Sequence, residues 1–425
     1  MRQLHRFSAV ALIAACLCAV AAGSAGATQP GASSAELPVA SGPRALYSSL
    51  HMFGLRIPSA AAAREIASRD SVIVVTQSQL NGYAPELRAA NPNIRIYAYL
   101  NGMLAQHNEG TRFPASWYMR DRSGAKVRSR GWGNFLMDPR ADTPFVEGGV
   151  SYPNWTSFVS ARCQGMLASG IFDGCFLDML GTAPLDGSYN RGGAVPLRGP
   201  GGWRWSSEAW LRMTGSVAAA VESSSGRPVI GNGLGNGTRY YSTTDGPSRL
   251  LYRDMTGGWA ETWLRPSTAA AGDYPTLPAW GKSVQMLMDA GTKGRAIAVT
   301  VKLWGRATAD QRTAWRQFAL ASYLLGRSGR AYFEYSPSHS VAPWAEQRSP
   351  LYRYRLGAPV HTYASLSSYL HGGLYQRTFA QGRVLVNPFS HAVTVQLPQA
   401  YRTSGGQIVH SLLVPPHRGR VLRTV

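Results

Sequence analysis

The heptapeptide Phe172-Asp173-Gly174-Cys175-Phe176-Leu177-Asp178 decides how the rest of this chain is read. Asp173-Gly174 is a turn pair. The residues after it form a short apolar run of the kind found in a strand buried on both faces. A carboxylate ends that run, and an ionised group buried without a partner is costly. Asp178 is therefore expected where a buried strand emerges from a core into a cleft. In a parallel barrel that is the C-terminal end of a strand, where ligand sites are built.

Outward from this strand, eight short β-prone runs alternate with helix-like segments: Ala45–Leu50, Val72–Thr76, Ile94–Leu100, Gly174–Leu180, Pro228–Asn232, a stretch within Leu250–Glu261, Ala296–Lys302 and Arg330–Glu334. Pro58 and Ser59 open an Ala-rich helix, and Pro85–Ala90 forms a short one. Trp155–Ser169 and Ser206–Ser224 carry apolar residues at helical spacing, and Thr308 with Gln311 has the capping-box pattern. Such alternation predicts βαβ units and a parallel sheet. With eight strands, and no G-x-G-x-x-G in the first βα turn, the expected fold is α/β, a closed (β/α)8 TIM barrel over 44–350. Long insertions at 101–154 and 181–205 would follow the third and fourth strands on the ligand-binding face. From about Tyr352, runs such as Arg383-Val-Leu-Val386 and Val393-Thr-Val-Gln-Leu397 predict a small antiparallel β-sandwich domain over 351–425.

The N-terminus has the order of a secretory signal peptide over 1–27: Arg2 and Arg6, an apolar run from Phe7, then Ala25-Gly26-Ala27. A flexible lead-in over 28–43 follows. Secretion is the expectation, with a lipoprotein anchored through Cys16 as the lesser alternative. Cys163 and Cys175 remain in the mature chain, either as one disulfide or as two buried thiols. The formal charge is +21, and loss of Arg2 and Arg6 leaves +19. The basic residues are spread along the chain rather than gathered in a patch, so nucleic acid is not an expected partner. An anionic cell-surface polymer is compatible with such a charge. No Cys/His spacing suggests a metal site, and no cofactor is implied.

The strand ends supply the chemistry. His51, Tyr99, Asn101, Asn232, Lys302 and Glu334 stand at or beside predicted ends, together with Trp259. These seven are the candidates for substrate binding. Glycosidic cleavage needs two carboxyl groups flanking the bond. Asp178 is the first candidate. Glu261 is the second and the expected acid, because Trp259 and Trp263 flank it with apolar surface that favours a protonated carboxyl; Asp254 is its rival. Trp117, Trp132, Trp203, Trp205 and Trp304 also fall in mouth loops or near strand ends, where flat rings can stack on sugars.

Asn93-Ile-Arg-Ile-Tyr-Ala-Tyr-Leu-Asn101, Leu136-Met-Asp-Pro139, Phe172–Asp178, Gly231-Asn-Gly233 and Gly258-Trp-Ala-Glu261 occur in an order that resembles the glycoside-hydrolase-like barrel family numbered fifteen. The strand Asp-Gly-Cys-Phe-Leu-Asp is also similar to that of polygalactosaminidase-type barrels. The resemblance implies a catalytic pair on strands four and six, which falls on Asp178 and Glu261, and a β-sandwich after the barrel. Met179 and Leu180 follow Asp178, so the chain lacks the chitinase-type acidic pattern. The expected function is a secreted glycoside hydrolase acting on a polysaccharide or oligosaccharide through two carboxyl groups. A carbohydrate-binding barrel without catalysis is the alternative.

Overall fold

Eight parallel strands close into a barrel in the computed structural model: β1 (Leu46–Ser49), β2 (Asp70–Val75), β3 (Arg95–Asn101), β4 (Gly174–Asp178), β5 (Val229–Asn232), β6 (Gly257–Ala260), β7 (Ala296–Lys302) and β8 (Ala331–Ser336). Each pairs with its sequence neighbours, and β1 meets β8 at Leu46 and Phe333. The structure describes residues 46–49 as backbone, and 55–199, 202–244 and 246–425. The expected leader, the lead-in, Cys16 and His51 lie outside the described residues. Both faces of β7 and β8 are buried throughout, which is why these strands read as continuous apolar runs instead of alternating ones.

The helices begin where the sequence supplies caps. Ser59 caps α1 (Ala60–Ala67), Asn154 caps α3 (Trp155–Leu167) and Ser206 caps α4 (Ser207–Ser225), each accepting a backbone N–H with its side chain. The short α2 spans Ala84–Ala90. Thr308 and Gln311 form the expected reciprocal box at the start of α6 (Ala309–Gly326). The helix α5 (Leu277–Thr292) is missing from the sequence expectation, although it buries Trp280, Val284, Leu287 and Met288. Among the described residues between β5 and β6, the helical segments are the short Gly237–Tyr240 and the 3-10 turn Ser248–Arg253. The apolar run at Leu250 thus belongs to that turn, and the sixth strand is Gly257–Ala260.

The described residues of the insertions after β3 and β4 are hydrogen-bonded to each other. Arg130 N donates to the Tyr189 carbonyl, and Arg191 N donates to that of Arg128. Beneath them a disulfide joins Cys163 on α3 to Cys175 on β4. Asp173, at the other end of β4, accepts from Ile96 N and pairs with Arg88. That arrangement fits a turn residue locking the strand's start.

The C-terminal part is one antiparallel sheet in the order β9-β10-β11-β14-β12-β13. Its strands are β9 (Leu370–His371), β10 (Leu374–Phe379), β11 (Gly382–Asn387), β12 (Val393–Arg402), β13 (Ile408–Val414) and β14 (Arg418–Thr424). Phe379, Val384, Val386 and Val421 join the barrel's own hydrophobic core. On the opposite face, Leu374, Leu385 and Leu422 pack with Val395, Leu397, Tyr401 and Val414, so the sheet doubles over a second small core. Arg377 donates to the carbonyls of Leu324, Leu325 and Arg327 at the end of α6. These carbonyls have no partner within the helix.

Candidate active site

The ends of β3, β4, β5, β6 and β7 converge on one chain of side-chain contacts. Asp178, the last residue of β4, lies in register with Asn101 of β3. Its Oδ2 accepts from the Tyr99 hydroxyl at 2.7 Å, and its Oδ1 from Asn232 Nδ2 and Met179 N, each at 2.8 Å. Met179 adopts φ +68° to make that contact, a left-handed conformation uncommon outside glycine. The same Asn232 Nδ2 donates to Glu261 Oε2 at 2.9 Å. The other carboxylate oxygen of Glu261 forms an ion pair with Lys302.

One nitrogen therefore serves both carboxylates. Two bonds of 2.8 and 2.9 Å meeting at Nδ2 keep Asp178 Oδ1 and Glu261 Oε2 within 5.7 Å, the limit for a straight line. With the two amide hydrogens splayed at about 120°, the separation is about 5 Å.

The loops beneath this contact fit closely. Gly181 lies three residues after Asp178 and Gly233 directly follows Asn232; a Cβ at Gly233 would stand 2.6 Å from Gly181 N. Any side chain here would push β4 and β5 apart at the level of the site.

Burial first, and the negative charge of Glu261 second, raise the Asp178 pKa above the ordinary carboxylate value. Hydrogen bonds from Tyr99, Asn232 and Met179 oppose that rise. Burial and Asp178 push the Tyr99 phenol far above its usual value, so it stays a donor. Asn101 commits its Oδ1 to Met103 N and Leu104 N, and its side chain also hydrogen-bonds Tyr99. With that oxygen occupied, the amide N–H is what meets the phenol oxygen, leaving the Tyr99 hydrogen for Asp178.

The remaining candidates separate by depth. Lys302 is nearly buried, its side chain only 4% exposed, and its ammonium lies 4.4 Å from the Trp304 ring centroid and 5.9 Å from that of Trp259. The Glu261 side chain is 32% exposed and is the more open of this ion pair. Trp259 is buried inside the barrel, its indole N–H on Thr300 and its ring against Phe176. Glu334 is buried on β8 opposite Thr300, two residues below the end of the strand. Trp263 turns its indole to the carbonyl of Ser283 on α5. The apolar wall expected from it at Glu261 is therefore absent. Asp254, the rival carboxylate, sits against Gly215 of α4.

Sequence reasoning missed Tyr189. Its hydroxyl lies 3.2 Å from Met179 Sδ, and burial, then the charges of Asp178 and Glu261, raise its pKa. It reaches the site from within the insertion after β4, where no strand end marks it. Among the mouth tryptophans, Trp117 and Trp205 are buried, whereas Trp132 and Trp203 are 77% and 74% exposed. Among the described residues, no three His, Cys, Asp or Glu side chains are grouped to hold a metal ion, and no helix is long and apolar enough to cross a membrane.

The family model described as hypothetical glycosyl hydrolase family 15 matches residues 88–383. Similar solved structures include an α-galactosidase of Geobacillus stearothermophilus in complex with raffinose, at 13% identity and TM-score 0.46, covering 89% of this chain and 55% of that one. A maltogenic α-amylase of Thermotoga neapolitana is similar at 9% identity and TM-score 0.46, covering 90% of this chain and 99% of that one. A pullulanase of Paenibacillus barengoltzii with maltotriose is similar at 10% identity and TM-score 0.47, over 92% of this chain and 79% of that one. The chain spans about 55% of the length of the α-galactosidases it matches. No curated protein sequence matches it.

Proposed function

We propose that this chain, which belongs to hypothetical glycosyl hydrolase family 15, is a secreted glycoside hydrolase that cleaves O-glycosidic bonds of a polysaccharide or oligosaccharide with retention of anomeric configuration. The observation that carries the reading is the single amide of Asn232 shared by Asp178 and Glu261. A separation of about 5–5.5 Å suits a nucleophile and an acid/base, whereas inversion needs room for a water between carboxyls about 6.5–9.5 Å apart.

Asp178 is the nucleophile in this reading. Three donors hold it as an oriented carboxylate, and desolvation makes that carboxylate more basic. One oxygen attacks the anomeric carbon while the bond to the leaving oxygen breaks. Glu261 gives its proton to that oxygen, and a covalent glycosyl ester forms on Asp178. Water then enters, Glu261 takes its proton, and the resulting attack on the anomeric carbon releases Asp178. The first step needs a protonated Glu261, so its ion pair with Lys302 must part before bond cleavage. Lys302 acts on Glu261 more directly than as a sugar ligand.

A barrel that only binds sugar could use two carboxylates as acceptors for hydroxyls; their separation of about 5 Å is what favours hydrolysis. Export rests on the leader pattern at 1–27, and attraction to an anionic cell-surface polymer rests on the formal charge of +21.

The test is a screen of the purified full chain and its Asp178→Asn variant on polysaccharides and aryl glycosides. Product anomers are followed by proton NMR. Loss of at least about 10³-fold in the variant, and a first-formed product with the substrate's configuration, are expected. Equal release of reducing ends by both proteins would sink the reading.

A further inference from the structure

The C-terminal domain holds a cavity of about 270 Å³ that the barrel chemistry does not use. It lies where the segment carrying His361, Tyr363 and Tyr369 meets β9, β10 and β11. Four of its eight lining residues are Arg377, Arg383, His361 and His371, and none is an aspartate or glutamate.

Arg377 is buried, and most of its guanidinium is committed to α6 and Thr362. Arg383 is different. Its two terminal nitrogens each make one bond, to Gln376 Oε1 and Thr378 Oγ1, both at 3.1 Å and both on lining residues. Its Nε is buried without a partner. Of five guanidinium N–H donors, three are thus unspent. Neither arginine has a salt bridge among the described residues; Arg377 is buried and Arg383 half-buried, and a cation taken from water without a counter-charge is costly. A planar carboxylate matches such a fork.

Tyr363 and Tyr369 add aromatic surface to the lining. His361 and Tyr363 stack with centroids 5.8 Å apart, and Tyr369 meets Tyr363 edge-on at 4.9 Å. Flat rings beside a guanidinium provide an apolar face and a charged end within one pocket. That pairing suits a sugar ring bearing an acid group better than it suits a bare anion.

We propose that this cavity binds a carboxylate-bearing sugar, a hexuronate unit of an acidic polysaccharide. The site is separate from the Asp178–Glu261 pair, and it would hold the enzyme on an acidic matrix whatever bond the barrel cleaves.

The experiment is titration calorimetry on the full chain carrying Asp178→Asn, which keeps the barrel from turning over the ligand. The probes are galacturonate and glucuronate oligomers, neutral galactose oligomers and inorganic phosphate. Saturable binding of one of the uronates is expected, weakened at least tenfold by Arg383→Gln and by Tyr363→Ala, with neutral oligomers and phosphate at least tenfold weaker than that uronate. Circular dichroism melts check that both variants stay folded; if either does not, His371→Ala replaces it under the same criterion. Absent uronate binding, or binding unchanged by these substitutions, would overturn the proposal. Phosphate binding as tight as uronate would overturn it as well, by marking a plain anion site. None of these outcomes depends on whether the barrel is a hydrolase.

Discussion

Asp178 Oδ1 and Glu261 Oε2 accept from the same nitrogen, Nδ2 of Asn232, which fixes the spacing of two carboxylates that would otherwise repel. Asn232→Ala removes that brace. A misplacement of about 1 Å in such a constellation costs roughly 100-fold. We expect kcat on an aryl glycoside to fall by about that factor while KM changes little. Steady-state kinetics check this, and a kcat within threefold of the parent would mean the amide is not what spaces the pair.

Lys302→Met keeps an unbranched side chain between Trp259 and Trp304 but removes the cation on Glu261. Without it one carboxylate oxygen of Glu261 loses the group that holds it in place, and kcat on an aryl glycoside should fall at least about tenfold while KM changes little. A kcat within threefold of the parent would separate Lys302 from the acid/base step.

Asp178 has a pKa raised by burial and by Glu261, so its charge opposes folding. For a raised acid, the stabilising contribution is complete below the unfolded pKa of about 3.9 and is lost as pH rises through the higher folded value. Neutral Asn at this position should therefore raise the melting temperature at pH 7 by about 1–2 °C, with the gain shrinking towards pH 4. Calorimetric melts at the two pH values test it. A destabilised Asp178→Asn at pH 7 would mean that the three hydrogen bonds outweigh the burial of charge.

Trp132 and Trp203 are exposed on the two insertions that reach the barrel mouth. If they stack on sugars beyond the cleaved bond, Trp132→Ala and Trp203→Ala should each raise KM on a polymer about fivefold, worth about 1 kcal/mol. An aryl monoglycoside, too short to reach them, should be unaffected. Equal effects on both substrates would assign them to loop packing.

The sequence reveals strands more readily than it reveals what crosses between them. Strands such as β7 and β8, buried on both faces, leave unbroken apolar runs, and a polar residue closing such a run marks the mouth. Asp178, Tyr99, Asn232 and Lys302 were legible for that reason. Glu261 and Asp254 both follow short apolar stretches, and it is the parallel pairing of Gly257–Ala260 with β5 and β7 that identifies which stretch is the strand. Tyr189 could not be found this way. It sits in an irregular insertion, brought to Asp178 by backbone bonds such as that from Arg130, and such pairings leave no local pattern. Direction was illegible too: Trp263 stands two residues from Glu261, yet its ring faces α5.

The way β14 and β10 meet α6 bears on how this molecule can be cut. A Cβ on Gly419 would collide with the Gln317 carbonyl of α6, and Arg377 closes the far end of the same helix. α6 lies between β7 and β8 in the chain, so the tail of the protein supports the segment linking the strand of Lys302 to the strand that closes the ring. A fragment ending near residue 350 would be a barrel missing part of its own wall, with apolar surface bared and helix carbonyls left in water. The terminal sheet is thus no passenger domain that an engineer could detach or swap; what looks like an appendage in the sequence behaves as masonry.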